Sequence, residues 1–349
     1  MDYIITESTR KIAARIMDSD SICIIGHVNP DGDCIGSTIG LHLFLKELGK
    51  DSTVILPNDI PENLKFISAL AEEGKYITYE SRPETAEEKL LNADTIFYLD
   101  LNSASRTRTM EDILLKSKAV NILIDHHTHP AEEQFSILLS DSRRSSTCEY
   151  IYDTCRRIER FMQEEKGIGR SLLTLDCMRA LFSGILTDTN VFANSVTPET
   201  LNISAEMISL GVDKEDLQQR VTGGYRVNRL SVISHLLSQV HVIEELHLAY
   251  MVFDLKTQAM FDYAKGESEG IVNMPLTIKG IEISALFTED PGGYLRASLR
   301  SKGMPVNEFT KIYFEGGGHV KASGGRTKMD IDKVGAYFEK AIKEYFYKA

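Results

Sequence analysis

The sequence lacks any apolar run of about 18 residues, the length that a helix needs to cross a bilayer. Its amino terminus lacks the basic and apolar regions of a secretory signal peptide. Only five cysteines are present, an odd number, and no two have Cys-x-x-Cys spacing. These absences argue against a membrane protein, a disulfide framework and a zinc ribbon, so we expect a cytoplasmic protein whose thiols are buried.

A surplus of basic residues is also missing. The 39 lysines and arginines face 51 acidic residues, which gives a formal net charge of −12. A protein that coats long nucleic acid neutralises many phosphates with Lys and Arg, and this chain is not built for that. A small phosphorylated ligand, held by metal ions and a few arginines, agrees with the charge.

The 349 residues favour two domains, because one hydrophobic core rarely grows to this size. In the first half, short apolar segments alternate with helical patterns, which predicts an α/β fold with a mainly parallel, doubly wound sheet. The predicted strands are 21–26, 52–56, 95–99 and 119–124. The predicted helices are 7–18, 38–48, 62–70, 84–92, 146–162 and 176–187, and Ser146 to Glu149 is read as a capping box.

Acidic and imidazole side chains follow the ends of these elements. They are His27, Asp31, Asp33, Asp100, Asp125, His126, His127 and Asp188. Each one alone is compatible with an ordinary turn or a surface acid. Open α/β sheets, however, gather their ligands at the carboxyl ends of the strands. Crowded carboxylates repel unless cations neutralise them, and this many ligands suit two cations about 3.5–4 Å apart.

The second half has a different pattern. Residues 200–242 are helical in pattern, with 228–242 as a connecting helix, and a strand-rich region begins at 248. Segments 281–287 and 294–299 predict a hairpin. Arg296, Arg300 and Arg326 suit phosphates, which guanidinium groups bind in bidentate fashion. The glycines that precede His319, including Gly317 and Gly318, allow bare amides to approach an anion.

The motifs stand in an order that resembles a known family. The order is His27-x-x-x-Asp31-x-Asp33, Asp100, Asp125-His126-His127 and Thr187-Asp188-Thr189. It resembles the DHH phosphoesterases, which are named after the triplet. Gly316-Gly317-Gly318-His319, followed by Ala322-Ser323-Gly324, resembles the companion DHHA1 domain. The two-domain layout is most similar to the nanoRNase branch, whose members degrade oligoribonucleotides and dephosphorylate pAp.

The resemblance implies a domain plan and a reaction. A DHH catalytic domain would cover residues 1–200, a helical connector 201–244, and a smaller mixed-sheet DHHA1 cap 245–349. The reaction would be hydrolysis of short oligoribonucleotides, and of pAp, by a metal-bridged hydroxide. The partners would be these short oligoribonucleotides or nucleotide phosphates, with no membrane, and a homodimer is an open possibility.

The resemblance also implies roles for the site residues. His27, Asp31 and Asp100 would hold one cation, and Asp33, Asp100, His126 and Asp188 the other. Mn²⁺ is favoured, with Mg²⁺ and Co²⁺ as alternatives. Asp125 would orient a histidine from behind, and His127 would face the scissile phosphate. His319 and the three arginines would bind the rest of the nucleotide, with Gly317 and Gly318.

The chain departs from the family at two places. Asn190 replaces the usual glycine, and Val320-Lys321 replaces the commoner Lys-Asn. Asn tolerates the left-handed conformation, so the turn at residue 190 is expected to persist. Three other functions stay open at this point: a polyphosphate or pyrophosphate hydrolase, a cyclic or linear dinucleotide phosphodiesterase, and a non-catalytic nucleotide sensor.

Overall fold

The computed structural model describes residues 3–264 and 266–347. These residues form two compact units, of which the first ends at Gly224 and the second begins at Tyr225. Each unit contains one six-stranded sheet. The predicted two-domain α/β architecture is therefore confirmed, while the finer division into 1–200, 201–244 and 245–349 stays a prediction. In the described part of the chain, no helix has both the length and the apolar character to span a bilayer.

The first unit alternates strands and helices along the chain. Its strands are β1 (Ile22–Ile25), β2 (Ser52–Leu56), β3 (Tyr76–Thr78), β4 (Thr95–Leu99), β5 (Val120–Asp125) and β6 (Ile137–Ser140). Its α-helices are α1 (Glu7–Asp18), α2 (Gly32–Glu47), α3 (Lys65–Ser68), α4 (Pro83–Asn92), α5 (Glu111–Lys116), α6 (Thr147–Lys166), α7 (Leu175–Asp188), α8 (Pro198–Ser209) and α9 (Lys214–Thr222).

All six strands of this sheet are parallel, in the order β3-β2-β1-β4-β5-β6. The connections change direction between β1 and β4, which is where doubly wound sheets bind their ligands. His27 follows β1, Asp100 follows β4, and Asp125 ends β5. The four predicted strands are present. The outer strands β3 and β6 were not predicted, because one has three residues and the other is only half-buried.

Helix α2 differs from the prediction at its start, and helix α6 differs in its capping contacts and its end. Helix α2 begins at Gly32, six residues before the predicted start, because Asp31 Oδ1 accepts hydrogen bonds from the amides of Asp33 and Cys34, each at 3.1 Å. The predicted capping box of α6 is only half formed. The Ser146 hydroxyl accepts from the Glu149 amide at 3.0 Å, but the Glu149 carboxylate turns elsewhere. Helix α6 also continues four residues beyond the predicted end.

Glycines allow α2, α6 and α7 to approach closely. A Cβ at Gly36 would lie 2.5 Å from the Ala180 carbonyl oxygen. A Cβ at Gly184 would lie 2.2 Å from Cys148 Sγ and 3.1 Å from Asp33 Cα. The distances of 2.5 Å and 2.2 Å are too short for a real contact, so a side chain at either position would force its neighbours to move. This contact brings the amino ends of α2 and α6 against the carboxyl half of α7.

All five cysteines are buried, and all belong to the first unit. Burial raises the pKa of the Cys23 thiol to about 12. Burial likewise raises the pKa values of the other four thiols, which are Cys34, Cys148, Cys155 and Cys177. The thiols therefore stay protonated, and all five are free.

The second unit is built on a mixed sheet. Its strands are β7 (His241–Ile243), β8 (Leu248–Phe253), β9 (Ile283–Asp290), β10 (Tyr294–Ser301), β11 (Gly317–His319) and β12 (Ala322–Thr327). Its α-helices are α10 (Asn228–Ser238), α11 (Leu255–Met260), α12 (Val306–Phe314) and α13 (Ile331–Phe346). The strand order is β11-β12-β10-β9-β8-β7, and only the β8–β9 pair is parallel.

The β9–β10 hairpin confirms the predicted turn between two strands. The predicted connecting helix 228–242 is too long, since α10 ends at Ser238 and β7 begins at His241. The core of the unit is aromatic: Phe287, Phe309 and Phe338 are fully buried, and the rings of Phe287 and Phe309 both pack edge to face with that of Phe338.

Candidate metal centre

Asp100 lies at the centre of the acidic and imidazole side chains of the first unit. It follows β4 in the left-handed conformation, with φ of 58°, and is 2% exposed. Its Oδ2 is 3.3 Å from His27 Nε2, and its Oδ1 is 3.5 Å from His126 Nε2. One buried carboxylate therefore faces two imidazoles that come from different strands.

The first group around Asp100 contains His27, Asp31 and Cys34. His27 Nδ1 lies 2.9 Å from the Val28 carbonyl oxygen, to which it donates, and this contact directs Nε2 towards the carboxylates. Asp31 Oδ1 is 3.8 Å from that Nε2. The potential ligand atoms of His27, Cys34 and Asp100 all lie within 4.8 Å of one another. The sequence analysis did not include Cys34, whose thiol resembles the buried, inert cysteines elsewhere in the chain.

The second group contains Asp33, His126 and Asp188, whose potential ligand atoms also lie within 4.8 Å of one another. His126 Nε2 is 3.7 Å from Asp33 Oδ2 and 3.6 Å from Asp188 Oδ2. Asp33 comes from α2, His126 from the end of β5, and Asp188 is the last residue of α7. Residues that are far apart in the chain thus converge, as their positions at element ends predict.

His127 is held by the acid of its own triplet. Its Nδ1 is 2.7 Å from Asp125 Oδ1, and Asp125 is completely buried. A buried carboxylate accepts a hydrogen bond, so Nδ1 carries the proton and Nε2 lies on the opposite edge of the ring. The geometry matches the role that the family resemblance implies for Asp125, the orientation of a histidine.

The pKa values show how strongly these groups interact. Burial alone would lower the pKa of His27, but hydrogen bonds to Asp100 and Asp31 outweigh it and raise the pKa to about 10. The same balance raises the pKa of His126 well above its ordinary value, mainly through Asp100. Burial, with the charges of Asp100 and Asp188, raises the pKa of Asp33 well above the usual range.

This donor set fits divalent cations. Asp33 resists ionisation because too much negative charge is collected in a buried place, and a cation would relieve that cost. Carboxylate oxygens with one imidazole in each group are ligands for Mn²⁺, Mg²⁺ or Co²⁺. The protonated Cys34 thiol is a poor ligand for such ions, whereas the Asp31 carboxylate is a good one.

Further contacts to the centre come from residues that the sequence analysis treated only as a helix start. The amides of Thr147 and Cys148 donate to the two oxygens of Asp33, at 2.6 and 2.8 Å. The Thr147 hydroxyl donates to Asp100 Oδ1 at 3.1 Å. The available signal was the Ser-Ser-Thr run at the start of α6, which the capping-box interpretation explained without reference to the centre.

In the second unit, the predicted arginines lie on one face of the sheet. Arg296 on β10 and Arg326 on β12 are directly opposite in register. Like charges in such a pair destabilise a sheet unless an anion lies between them. The Nε of Arg296 is buried and has no hydrogen-bond partner among the described residues. Arg300 lies farther along β10, opposite Ala322.

The glycine run before His319 forms strand β11 instead of an open loop. A Cβ at Gly316 would lie 2.0 Å from the Gly324 carbonyl oxygen, and one at Gly318 would lie 2.7 Å from that of Ala322. Close pairing with β12 thus explains these two glycines. A Cβ at Gly317 would meet nothing within 4 Å. The predicted substrate contacts of Gly317, Gly318 and His319 remain predictions.

Comparison with known proteins gives the same two-part division. The model of the DHH family, N-terminal domain, matches residues 21–185, and that of the DHHA1 domain matches residues 248–346. A probable bifunctional oligoribonuclease and PAP phosphatase of Streptococcus mutans is 26% identical over 95% of this chain and 97% of its own. The bifunctional oligoribonuclease and PAP phosphatase of Thermus thermophilus is 29% identical over 93% of this chain and 89% of its own.

A solved structure is similar over nearly the whole chain. The exopolyphosphatase-related protein from Bacteroides fragilis is 33% identical, with a TM-score of 0.89. The similarity covers 99% of this chain and 98% of that one. Both units and their connection therefore have a counterpart in one other protein.

Proposed function

This chain belongs to the DHH family of phosphoesterases and carries the DHHA1 domain, and from that premise we propose that it hydrolyses short oligoribonucleotides and pAp. The observation that carries the proposal is the pair of ligand groups joined by Asp100 in the first unit. Relatives whose names state this activity match more than nine-tenths of the chain.

The centre would hold two divalent cations, with Mn²⁺ favoured. His27, Asp31 and Asp100 would ligate one cation, and Asp33, Asp100, His126 and Asp188 the other. Bound there, the cations would lower the pKa of water and offset the negative charge of the phosphoryl oxygens. The distances from Asp100 to both imidazoles support its role as the shared ligand.

Side chains of the protein would contact the phosphates and the nucleotide directly. His127, with Nδ1 fixed by Asp125, would face the scissile phosphate with the Nε2 edge of its ring. In the second unit, the opposed Arg296 and Arg326 would bind a phosphate, which would relieve the repulsion between them. Arg300 and His319 would add contacts to the nucleotide.

One substrate panel tests the function. The purified protein is incubated with Mn²⁺ and one substrate at a time. The substrates are RNA of two to five nucleotides, pAp, the linear dinucleotide that forms when a cyclic dinucleotide is opened, polyphosphate and pyrophosphate. We expect rapid hydrolysis of the short RNAs, with or without pAp. Turnover of polyphosphate or pyrophosphate alone would favour a second candidate function, a polyphosphate or pyrophosphate hydrolase. The name of the Bacteroides fragilis relative suggests that function.

Replacement of the shared ligand tests the metal centre. Asp100→Ala should lower hydrolysis of every accepted substrate to the background, since both ligand groups lose a carboxylate. Asp112→Ala changes an exposed acid on α5 and should leave the rate unchanged. Normal activity of the Asp100→Ala protein would rule out the two-cation proposal. Tight nucleotide binding by the unaltered protein without turnover would favour a sensor.

A further inference from the structure

The segment Arg144–Glu149 contacts three side chains of the metal centre without contributing one of the predicted ligands. The Arg144 carbonyl oxygen lies 3.4 Å from His126 Nδ1, which donates to it. Thr147 contacts both Asp33 and Asp100. A metal-ligating histidine is normally oriented by such a hydrogen bond on its other nitrogen. The segment therefore holds His126 and two carboxylates in one arrangement.

Asp33 is fixed at both of its oxygens. The Thr147 and Cys148 amides that donate to them belong to the first turn of α6, a helix of 20 residues. These amides have no partner within the helix, and the helix dipole favours a negative charge at this end. The backbone thus holds both oxygens of Asp33 in one orientation.

The Thr147 hydroxyl has a distinct role, because it is a side-chain donor to Asp100. The imidazoles of His27 and His126 also face Asp100, at 3.3 and 3.5 Å. An imidazole nitrogen that ligates a cation uses its lone pair and has no hydrogen to donate. The hydroxyl of Thr147 would therefore remain a donor to the Asp100 carboxylate when cations occupy the centre.

The segment is held in place by a set of buried polar contacts. Glu149 is completely buried and accepts hydrogen bonds from the Ser145 hydroxyl at 2.6 Å and from the Thr200 hydroxyl at 2.7 Å. It also pairs with Arg144 at 3.0 Å, and Arg144 pairs in turn with Asp153 at 2.8 Å. These buried contacts tie the segment to α6 and α8, and they involve none of the predicted metal ligands.

We infer that the segment Arg144–Glu149 is the positioning element of the metal centre, and that the Thr147 hydroxyl is the positioning group for the shared ligand Asp100. The inference rests on the proposed function insofar as it requires the two cations. It adds a residue outside the predicted ligand set, whose hydroxyl acts through Asp100 and whose amide acts through Asp33.

The test is a titration of the metal-free, full-length protein with Mn²⁺, followed by calorimetry and by electron paramagnetic resonance. Thr147→Val removes the hydroxyl but keeps the branched shape and the amide that binds Asp33. We expect it to weaken at least one Mn²⁺ by about 10–100-fold, the usual effect of losing such an outer contact, and to diminish the signal of a coupled Mn²⁺ pair. Thr147→Ala guards against a misplaced methyl group in the valine variant.

Two controls isolate the hydroxyl. Thr147→Ser restores it and should return the affinity to within about threefold of the unaltered protein. Thr310→Val removes a buried hydroxyl in the second unit, where it donates to the Val306 carbonyl oxygen at 2.7 Å, and should leave Mn²⁺ binding unchanged. Circular dichroism and the melting temperature of each metal-free variant show whether it is folded.

Two results would overturn the inference. In one, Thr147→Val and Thr147→Ala bind two Mn²⁺ with unaltered affinity and coupling. In the other, Thr147→Ser binds as weakly as they do. If the unaltered protein binds no Mn²⁺, the inference falls together with the proposed centre. If it binds two Mn²⁺ but hydrolyses none of the substrates in the panel, the proposed function fails while the titration still decides the role of Thr147.

Discussion

Asp125 and His127 show how much a single buried carboxylate can determine. Asp125 Oδ1 fixes His127 Nδ1 at 2.7 Å, while its Oδ2 has no hydrogen-bond partner among the residues that the structure describes. Among the described side chains, the Asp125 carboxylate therefore forms a hydrogen bond with His127 alone. A substitution of Asp125 should accordingly change activity through His127 more than it changes folding.

Asp125→Asn should lower kcat by about 10–100-fold and leave KM nearly unchanged, because a neutral amide neither enforces the imidazole tautomer nor stabilises its positive charge. The pH dependence of kcat should also shift, as measured with a short RNA between pH 6 and 9. Asp112→Asn, on the exposed face of α5, is the matched control. An unchanged kcat for the buried variant would contradict the orienting role of Asp125.

The imidazoles also predict how metal affinity depends on pH. The pKa of His27 is raised to about 10, so its metal-free imidazole is protonated at neutral pH. A cation binds only the deprotonated nitrogen and must displace this proton. The apparent Mn²⁺ affinity should therefore rise with pH from 7 towards 10, by up to about tenfold per unit for each displaced proton.

Calorimetry in buffers of different ionisation enthalpy measures that proton release directly. His27→Ala should reduce the number of protons released at pH 7 by about one, since the charged ring is gone. For the same reason, the contribution of His27 to the stability of the metal-free fold is complete below pH 6.5 and is lost as pH rises through 10. Proton release that is independent of His27 would show that its imidazole is neutral before metal binding.

At the scale of the elements, the contact between α2, α6 and α7 controls the centre. Gly184 lies against Cys148 and the backbone of Asp33, and α7 ends at Asp188 only four residues later. A methyl group at this contact has no room. Any relaxation moves α7, and with it Asp188, away from α2.

Gly184→Ala should destabilise the first unit by about 1–3 kcal/mol through overpacking and should weaken Mn²⁺ binding as well. Gly169→Ala is a suitable comparison, since a Cβ at Gly169 would meet nothing within 4 Å. Thermal unfolding and a Mn²⁺ titration measure both effects. Unaltered stability and affinity of the Gly184→Ala protein would mean that the three helices can separate without cost to the centre.

The elements also show what the sequence could and could not predict. The strands β1, β4 and β5 are short apolar runs that end in polar residues, and this local pattern identified the strands and the acidic and imidazole residues at their ends. The start of α2 could not be read in this way, because Pro30-Asp31-Gly32-Asp33 has the composition of a turn. The capping contacts of Asp31 make it a helix. Asp33 consequently belongs to a rigid helical turn and not to a mobile loop.

The contacts of Thr147 are tertiary contacts, which no local sequence pattern reveals. They join residues 33, 100 and 147, so they exist only in the folded chain. Ser146 to Glu149 fits a capping box, and that local rule gave a complete explanation before the tertiary contacts were known. The convergence of the acidic and imidazole side chains could be predicted because each stands at the end of an element. Their outer supports could not, because hydroxyl and amide donors have no distinctive spacing in a sequence.

At the scale of the whole molecule, the carboxylates that suit the metal centre to its activity lower the stability of the metal-free protein. Without cations, Asp33, Asp100 and Asp188 repel one another in a buried site. Removing one of them should stabilise the metal-free protein, as often happens at functional sites. The same change should diminish the stabilisation that a bound cation provides.

Asp188→Asn should therefore melt at a higher temperature than the unaltered protein after chelation, and at a lower temperature with saturating Mn²⁺. Free Mn²⁺ at 100 times its dissociation constant stabilises a one-site protein by about 2.7 kcal/mol. Differential scanning calorimetry with EDTA or with Mn²⁺ tests whether the order of the two melting temperatures reverses between these conditions. The control Asp112→Asn should melt at the same temperature as the unaltered protein in both conditions. The same order under both conditions would contradict the repulsion argument.

The burial of all five cysteines has a practical consequence for following the dynamics of this protein. Every native thiol is protonated and belongs to the first unit, so reagents such as maleimides should modify the folded chain very slowly. The rate at which the native thiols are alkylated then measures how often the first unit opens transiently. A cysteine introduced on an exposed surface would instead accept a fluorophore at once, which gives a singly labelled protein without removing any native residue.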